Sequence, residues 1–174
     1  MRNQARHRPL DGSTFFEDGR SARPLVEGTV ARGYLRDDRH LYEGKIGEEF
    51  AKTFPFPITH DVLARGRERF DIYCTPCHDH TGSGNGMIVR RGFRKAASFH
   101  IPRLQDAPAG YLFDVMTNGF GAMQSYRSMV PVRDRWAIAA YIRALQLSQN
   151  ATIADVPAAE RARLEAEPVS QGTP

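Results

Sequence analysis

Apolar residues recur at helical spacing in three stretches of the chain. In the first, residues 60–74, Leu63, Phe70 and Tyr73 return about every 3.6 residues. Thr59 comes directly before this stretch and is a residue type that caps the first turn of a helix. The pattern therefore predicts a helix that begins after Thr59 and ends near Cys74.

Two further helices follow from the same reasoning. The second begins near Pro108, runs through Leu112 and Met116, and ends at Asn118 because Gly119 is a C-capping residue type. The third covers residues 132–148. No run alternates between apolar and polar residues as a strand does, so we expect a small all-α domain.

Gly66 sits inside the first predicted helix, where a glycine lowers helix propensity. We interpret it as a point of close approach for another helix. The last predicted helix offers Ile138 and Tyr141 for that contact.

These patterns divide the chain into three parts. Residues 1–57 contain scattered apolar side chains between glycines and prolines, without sustained periodicity. We expect an extended arm that docks on partner subunits, the alternative being that it packs on its own domain. Residues 58–149 form the domain. Residues 150–174 form a polar tail, with a short helix capped by Asp155 and begun by Pro157, and disorder beyond Pro168.

Composition excludes some classes of function. The formal net charge is +4, from 24 basic and 20 acidic residues, and no basic run is interleaved with aromatic residues, so nucleic-acid binding is not expected. No stretch approaches 18 apolar residues, so we expect no membrane span. The first ten residues, MRNQARHRPL, do not begin a secretory signal, which fits either a cytoplasmic protein or a processed chain.

Both cysteines lie in the stretch DIYCTPCHDH, residues 71–80. A zinc site usually needs four ligands, whereas Cys74, Cys77 and the adjacent His78 give three that do not easily point at one metal. A redox dithiol is typical of a helix N-terminus after a strand, whereas this pair follows a helix. Both alternatives remain open but fit poorly.

Covalent haem fits every residue of the motif. Cys74 and Cys77, three positions apart, can form thioethers with the two vinyl groups at one edge of a haem c. His78 is then placed to bind the iron as an axial ligand. We expect one covalent haem c on this motif.

The second axial ligand must come from another segment. We predict Met123, which lies in a loop after Gly121, where an apolar side chain needs a special reason. Met116 falls on a helix face with core residues, and Met87 is too close to His78 in sequence to pass round the ring. Met129 is the runner-up, and His100 is a further candidate.

Ligation by histidine and methionine favours electron transfer over catalysis, because both axial positions are filled. The alternative is a haem protein with peroxidase or gas-sensing activity, in which Met123 dissociates or is not a ligand. The basic run of Arg90, Arg91, Arg94 and Lys95 is either a solvated face, a partner for the haem propionates or a docking rim. Trp136 and Tyr126 are further candidate partners of the propionates.

The spacing G-x-x-x-F-x-x-x-C-x-x-C-H, the methionine loop and the aromatic last helix resemble class I cytochrome c over about residues 58–149. The stretches RGRERFDIYCTPCH, GSGNGMIVRRGF, NGFGAMQSY and DRWAIAAYIRALQLSQNA are similar to the monohaem cytochrome c subunit of bacterial alternative complex III, a quinol:electron-acceptor oxidoreductase. FFEDGRSARPLVEGTVARG is similar to the N-terminal segment of those subunits.

The resemblance implies a non-enzymatic electron-transfer subunit on the periplasmic or extracytoplasmic face of a bacterial inner membrane. Its partners would be other subunits of a membrane oxidoreductase complex and a terminal oxidase or small electron carrier. The membrane surface would be reached through the complex or through a lipid anchor that preceded this chain. The resemblance also implies that Cys74 and Cys77 hold the haem and that His78 and Met123 bind its iron. Related cytochromes often have a proline where this chain has KAAS, residues 95–98, and the carbonyl of that proline orients the proximal histidine.

Overall fold

The computed structural model describes residues 4–166, and their side chains as far as residue 164. It divides into two compact units, one ending at Asp37 and one beginning at Asp38. The disorder expected beyond Pro168 falls outside the described residues.

The first unit is built from turns, and residues 4–37 contain no regular helix or paired strand beyond one isolated bridge between Gly12 and Arg20. The Ser21 hydroxyl donates to the carbonyls of Arg8 and Asp11, at 2.8 and 2.7 Å. Because such a segment has no core of its own, several large apolar side chains remain exposed: Leu10, Phe15, Leu25, Val26, Val30, Tyr34 and Leu35.

The second unit is helical, with one small antiparallel hairpin. Its helices are α1 Arg39–Glu43, α2 His60–Tyr73, α3 Thr75–His78, α4 Met87–Arg90, α5 Pro102–Gln105, α6 Ala109–Asn118, α7 Val132–Asn150 and α8 Ala158–Ala166, with a 3-10 turn at Ile153–Asp155 and strands β1 Lys45–Ile46 and β2 Glu49–Phe50. The all-α class and the three main helices, α2, α6 and α7, are thus confirmed.

The ends of the main helices follow from their capping residues. The Thr59 hydroxyl accepts a hydrogen bond from the Val62 N–H at 3.3 Å and so begins α2. Gly119, at a φ of 82°, ends α6 in a conformation that favours glycine. The tail differs from expectation in one detail: Asp155 accepts from the backbone and hydroxyl of Thr152 and closes the 3-10 turn, so it does not cap α8.

Helices α2 and α7 cross at Gly66. A Cβ atom at this position would collide with the Ala137 carbonyl and lie 3.1 Å from the Tyr141 Cβ. The expected close approach of the last helix is therefore present. Phe70, one turn after Gly66, is fully buried and meets the Tyr141 ring edge-on, with centroids 5.4 Å apart.

Residues 38–57, which the sequence analysis grouped with the arm, pack on the helical unit. The fully buried Trp136 of α7 stacks on Phe113 and donates its indole N–H to the Leu41 carbonyl at 2.9 Å. Gly110 of α6 donates to the Ala51 carbonyl at 2.8 Å. These hydrogen bonds join residues that are distant in sequence, so the local periodicity of the chain could not predict them. The docking of residues 1–37 on a partner stays a prediction.

Among the described residues, no helix combines the length and the apolar character needed to cross a bilayer.

Candidate haem site

The cysteine motif occupies the junction of α2 and α3. Cys74 is the C-cap of α2 and also the N-cap of α3, and its backbone stays in the right-handed helical region. The Cys74 carbonyl accepts from the N–H groups of Cys77 at 3.2 Å and His78 at 2.8 Å. The three functional side chains therefore come from positions 74, 77 and 78 of one helical turn, and all of them are partly buried.

The Cys74 thiol is poorly suited to redox or zinc chemistry of its own. Burial raises the pKa of the Cys74 thiol to about 12, and the nearby Cys77 and Asp71 add to the effect. A thiol in this state is a weak nucleophile, because the thiolate is the reactive form. Within residues 4–166, no group of three or more histidine, cysteine or acidic side chains is arranged to hold a metal ion.

The His78 imidazole has a fixed orientation. Its Nδ1 lies 3.2 Å from the Ala97 carbonyl, and its ring stacks on Phe99 with centroids 4.5 Å apart and an interplanar angle of 16°. Burial lowers the pKa of His78, which favours the neutral ring. A neutral imidazole that donates Nδ1–H to a carbonyl presents the lone pair of Nε2, the arrangement that orients metal-binding histidines.

The segment that carries the Ala97 carbonyl is held from two sides. The Phe99 N–H donates to the Gly82 carbonyl at 2.9 Å, and the buried Gln146 of α7 donates to the Phe99 carbonyl at 2.8 Å. A Cβ atom at Gly84 would collide with the Ala96 carbonyl, so glycine is needed there for close approach. The Ala97 carbonyl is thus held in place although its segment contains no proline.

The loop between His78 and α4 is organised by Asp79. Its carboxylate accepts from the N–H of Thr81 at 2.7 Å, Ser83 at 3.3 Å and Asn85 at 3.2 Å, and from the Thr81 and Ser83 hydroxyls. Burial acts to raise the pKa of Asp79, but these hydrogen bonds outweigh it and lower the pKa well below the usual range. The ordered loop then returns to the motif, where the Gly86 N–H donates to the Cys77 carbonyl at 2.9 Å.

A small cavity opens beside the motif. Its walls come from α2, α6, α7 and the loop that precedes α7. The lining residues are Tyr73, Cys74, Met116, Met123, Tyr126, Val130, Arg135 and Ile138. Cys74 and Met123 therefore meet at one cavity, although they are distant in sequence. Cys77 and His78 lie on the same turn as Cys74 but do not line this cavity.

The other candidate axial ligands occupy different environments. Met87 and Met129 are exposed, whereas Met116 is buried in the core on α6 and also reaches the cavity. His100 Nε2 lies 2.7 Å from the Thr81 carbonyl and belongs to the loop's hydrogen bonds. Met123 is partly buried, in a tight turn in which its N–H and carbonyl both pair with Phe120.

Arg135 brings a positive charge to the cavity. Its side chain is buried, its Nη1 donates to the Val130 carbonyl at 3.2 Å, and its guanidinium lies over the Phe113 ring. Guanidinium groups pair well with carboxylates, so Arg135 is suited to a haem propionate. Trp136 was a second candidate for that role in the sequence analysis, but its indole N–H donates a hydrogen bond to the Leu41 carbonyl.

Sequence reasoning did not find Arg135, Phe99 or Gln146, because each acts through contacts with distant residues. Asp79 left a local signal that was not used. An aspartate followed by Thr81 and Ser83 in a glycine-rich loop is typical of a side chain that hydrogen-bonds its own backbone.

The residues present fit a covalently attached haem. They include a cysteine pair on one turn, a histidine with its Nδ1 on a carbonyl, and a cavity lined mainly by apolar and aromatic side chains, with a thioether and a guanidinium among them. An apolar pocket with a few placed polar groups is the usual environment of a cofactor.

Residues 61–142 match the family model of cytochrome c oxidase, cbb3-type, subunit III. No curated protein matches the chain. Among solved structures, a chain of the Kuenenia stuttgartiensis reducing HAO-like protein complex is similar at 19% sequence identity and a TM-score of 0.47. That match covers 61% of this chain and 54% of the other, so this chain corresponds to about half of the solved one. The matched family and the helical fold support a class I cytochrome c domain over residues 61–142, and the cofactor of such a domain is covalently bound haem c.

Proposed function

We propose that this protein is a monohaem c-type cytochrome that transfers single electrons as a subunit of a membrane quinol-oxidising complex, similar to alternative complex III. A cytochrome c domain implies haem-based electron transfer. The finer assignment rests on the similarity of the motifs quoted above, and on the exposed apolar side chains of residues 4–37, which suit a segment that binds other subunits.

The observation that supports an electron-transfer role is the Met123 thioether in the lining of the cavity at Cys74, on the turn that also carries the oriented His78. In the proposal, Cys74 and Cys77 bind the haem, His78 is one axial ligand and Met123 is the other. With both axial positions held by protein atoms, no position is left open for a substrate. The bound haem supplies reversible one-electron exchange at its iron.

The protein's own residues adjust that exchange. Ala97 fixes the His78 ring, which limits the rearrangement needed when the iron changes charge. Tyr73, Val130 and Ile138 line the cavity, and their apolar surfaces keep water away from a bound cofactor. A methionine thioether favours ferrous iron and raises the reduction potential, and the Arg135 charge acts in the same direction.

The proposed partners are other subunits of the complex and an electron acceptor, either a terminal oxidase or a small soluble carrier. The proposed location is the periplasmic or extracytoplasmic face of the inner membrane. A cytochrome c domain is typical of that side.

Spectroscopy of the full-length protein, expressed with haem-attachment machinery, tests the proposal. We expect a c-type pyridine haemochrome with one haem per chain and a weak sulfur-to-iron charge-transfer band in the ferric state. Met123→Ala should abolish this band and lower the reduction potential. Met129→Ala, at an exposed methionine of the neighbouring loop, is the matched control and should change neither.

Persistence of the band in Met123→Ala would show that another residue is the sixth ligand. Rapid binding of carbon monoxide to the reduced wild-type protein would mean that the sixth position is open, and would contradict an electron-transfer role. A colourless protein would contradict the whole assignment.

A further inference from the structure

The methionine loop covers residues 119–131 and begins where α6 ends. The last carbonyls of a helix have no partner within the helix, so they need donors from outside it. The Val115 carbonyl accepts from the N–H of Gly119, the residue that caps α6, at 2.9 Å. The two carbonyls that follow Val115 must be satisfied by other residues.

These two carbonyls accept hydrogen bonds from the returning side of the methionine loop. The Tyr126 N–H donates to the Met116 carbonyl at 2.9 Å, and the Ser125 hydroxyl donates to the Thr117 carbonyl at 2.6 Å. The Ser125 oxygen also accepts from the Arg127 N–H at 3.3 Å. Thr117 is only 2% exposed, so water does not readily replace a lost donor there. Ser125 therefore ties the returning side of the loop to a fixed helix end.

The two sides of the methionine loop also meet at Gly119. A Cβ atom at Gly119 would lie 2.7 Å from the Met123 carbonyl oxygen and 3.1 Å from the Ser125 nitrogen. Between the two sides, Met123 and Phe120 exchange backbone hydrogen bonds at 2.9 Å. Met123 thus occupies a narrow turn, and the hydrogen bond that ties this turn to α6 through a side chain comes from Ser125, two residues further on.

The position of the Met123 side chain depends on this turn, because a thioether is only a weak hydrogen-bond acceptor. The side chain is partly buried and lines the cavity beside Cys74. Loops open locally at a lower free energy than the whole domain. A methionine loop that has lost its tie to α6 would therefore carry Met123 away from the cavity while the helices remain folded.

We infer that Ser125 is a positioning residue, which keeps Met123 in place as an axial ligand by closing the methionine loop on the Thr117 carbonyl. This inference rests on the proposed function and adds a residue to its site. Without the Ser125 hydroxyl, the loop opens more often and the sixth position becomes more accessible to an added ligand.

Binding of imidazole to the ferric protein measures this opening, because imidazole takes the sixth position only after the methionine has left it. The apparent affinity for imidazole is the intrinsic affinity multiplied by the fraction of protein whose sixth position is open. Haem-loaded, full-length proteins are compared by absorbance titration and stopped-flow mixing: the wild type, Ser125→Ala, Ser125→Thr and Ser128→Ala. Ser128 is exposed in the same loop and provides the matched control.

We expect Ser125→Ala to raise both the apparent affinity for imidazole and the limiting rate of its binding by about tenfold, because one hydrogen bond to a buried residue's carbonyl is lost. Ser125→Thr keeps a hydroxyl group and should retain the wild-type affinity and rate. Ser128→Ala should change either quantity by about twofold or less.

A second background shows whether Ser125 acts through Met123. In Met123→Ala the sixth position is already open, so the addition of Ser125→Ala should leave the affinity for imidazole unchanged. The inference is overturned if Ser125→Ala fails to raise the affinity of the protein that retains Met123, or raises it equally in both backgrounds.

Failure of the proposed function gives a different result. If Met123 were not an axial ligand, Met123→Ala itself would bind imidazole as the wild type does and would keep the charge-transfer band. Failure of this inference alone leaves the effect of Met123→Ala intact.

Discussion

At the scale of single residues, the candidate site depends on side chains that lie outside the cysteine motif. His78 is oriented by the Ala97 carbonyl and by the Phe99 ring, and the Phe99 carbonyl is held in turn by Gln146. This support comes from α7, some seventy residues after the motif. A sequence motif identifies the attachment residues because they lie within five positions of one another, but residues that orient them are found only when the folded chain is available.

Replacing Gln146 tests this chain of support. Its Nε2 donates to the carbonyls of Phe99 and Leu104, at 2.8 and 3.0 Å, and its Oε1 accepts from Arg143. Gln146→Ala leaves the Phe99 carbonyl without its donor, while the Leu104 carbonyl keeps Arg143, so the free energy of unfolding should fall by about 1–3 kcal/mol. It should also alter the ferric electron paramagnetic resonance spectrum, which depends on the orientation of the His78 ring.

Gln149→Ala is the matched control, because Gln149 lies on the same helix and is exposed, and the Thr81 carbonyl that accepts its hydrogen bond keeps His100 as a partner. We expect its effect on stability to stay within about 0.5 kcal/mol. A Gln146→Ala protein with an unchanged resonance spectrum would restrict Gln146 to a purely structural role.

At the scale of elements, the sequence predicted what local physics determines. Helices α2, α6 and α7 were found because each has an apolar face of period 3.6 and a recognisable start or end. The short helices α4 and α5 were not, because four residues hold no periodicity. Their positions are set by hydrogen bonds to distant segments. The motif and the methionine loop were proposed as site segments, while Val130, Arg135 and Ile138 of the cavity wall were not.

The crossing of α2 and α7 gives the first prediction at this scale. Alanine is normally the better helix former by about 1 kcal/mol. At Gly66, however, a methyl group would meet the Ala137 carbonyl and force the two helices apart. Gly66→Ala should therefore lower the free energy of unfolding by about 1–3 kcal/mol in denaturant titrations.

Arg67→Ala, on the exposed side of the same helix, is the control and should change stability by less than about 0.5 kcal/mol. A Gly66→Ala protein as stable as the wild type would mean that the helices tolerate a wider separation.

The loop held by Asp79 gives a prediction about pH. Because the pKa of Asp79 is lowered by folding, its carboxylate adds stability above the unfolded pKa of about 4, and this contribution is lost as the pH falls toward the folded value. Asp79→Asn should lower the free energy of unfolding by about 1–3 kcal/mol at pH 7. Its stability should also decline less than that of the wild type as the pH falls below about 4.

Asp106→Asn, at an exposed residue outside the loop, serves as the control and should retain the wild-type pH profile. Parallel pH profiles for the wild type and Asp79→Asn would contradict the role given to Asp79.

At the scale of the whole molecule, the exposed apolar residues of the first unit and the residues of the candidate haem site lie in different units. Residues 4–37 present exposed apolar side chains without a core, and every residue assigned to the haem site lies after Asp38. An exposed apolar surface of this extent is unusual for a segment that contacts only solvent and binds no other protein. We therefore retain the hypothesis that residues 1–37 bind other subunits, while the helical unit carries the electron.

Deletion of residues 1–37 tests this division. The shortened protein should keep the c-type spectrum and reduction potential, because the cofactor residues are all retained. It should lose association with the membrane complex, measured as haem absorbance that sediments with the detergent-solubilised assembly. Loss of the spectrum would instead assign residues 1–37 a part in folding, and unchanged sedimentation would contradict their role in assembly.

The position of α7 also determines an order of events in time. At synthesis rates of about 5–20 residues per second, about 3–11 s separate the appearance of the cysteine motif from that of the first residue of α7. During this interval the α7 residues that build and support the cavity have not yet been synthesised. They include Arg135, Ile138 and Gln146. Once they dock, Cys74 is enclosed and its thiol, with a pKa of about 12, is slow to react. We therefore expect haem attachment to precede the docking of α7, whose residues Arg135 and Ile138 form one wall of the cavity beside Cys74.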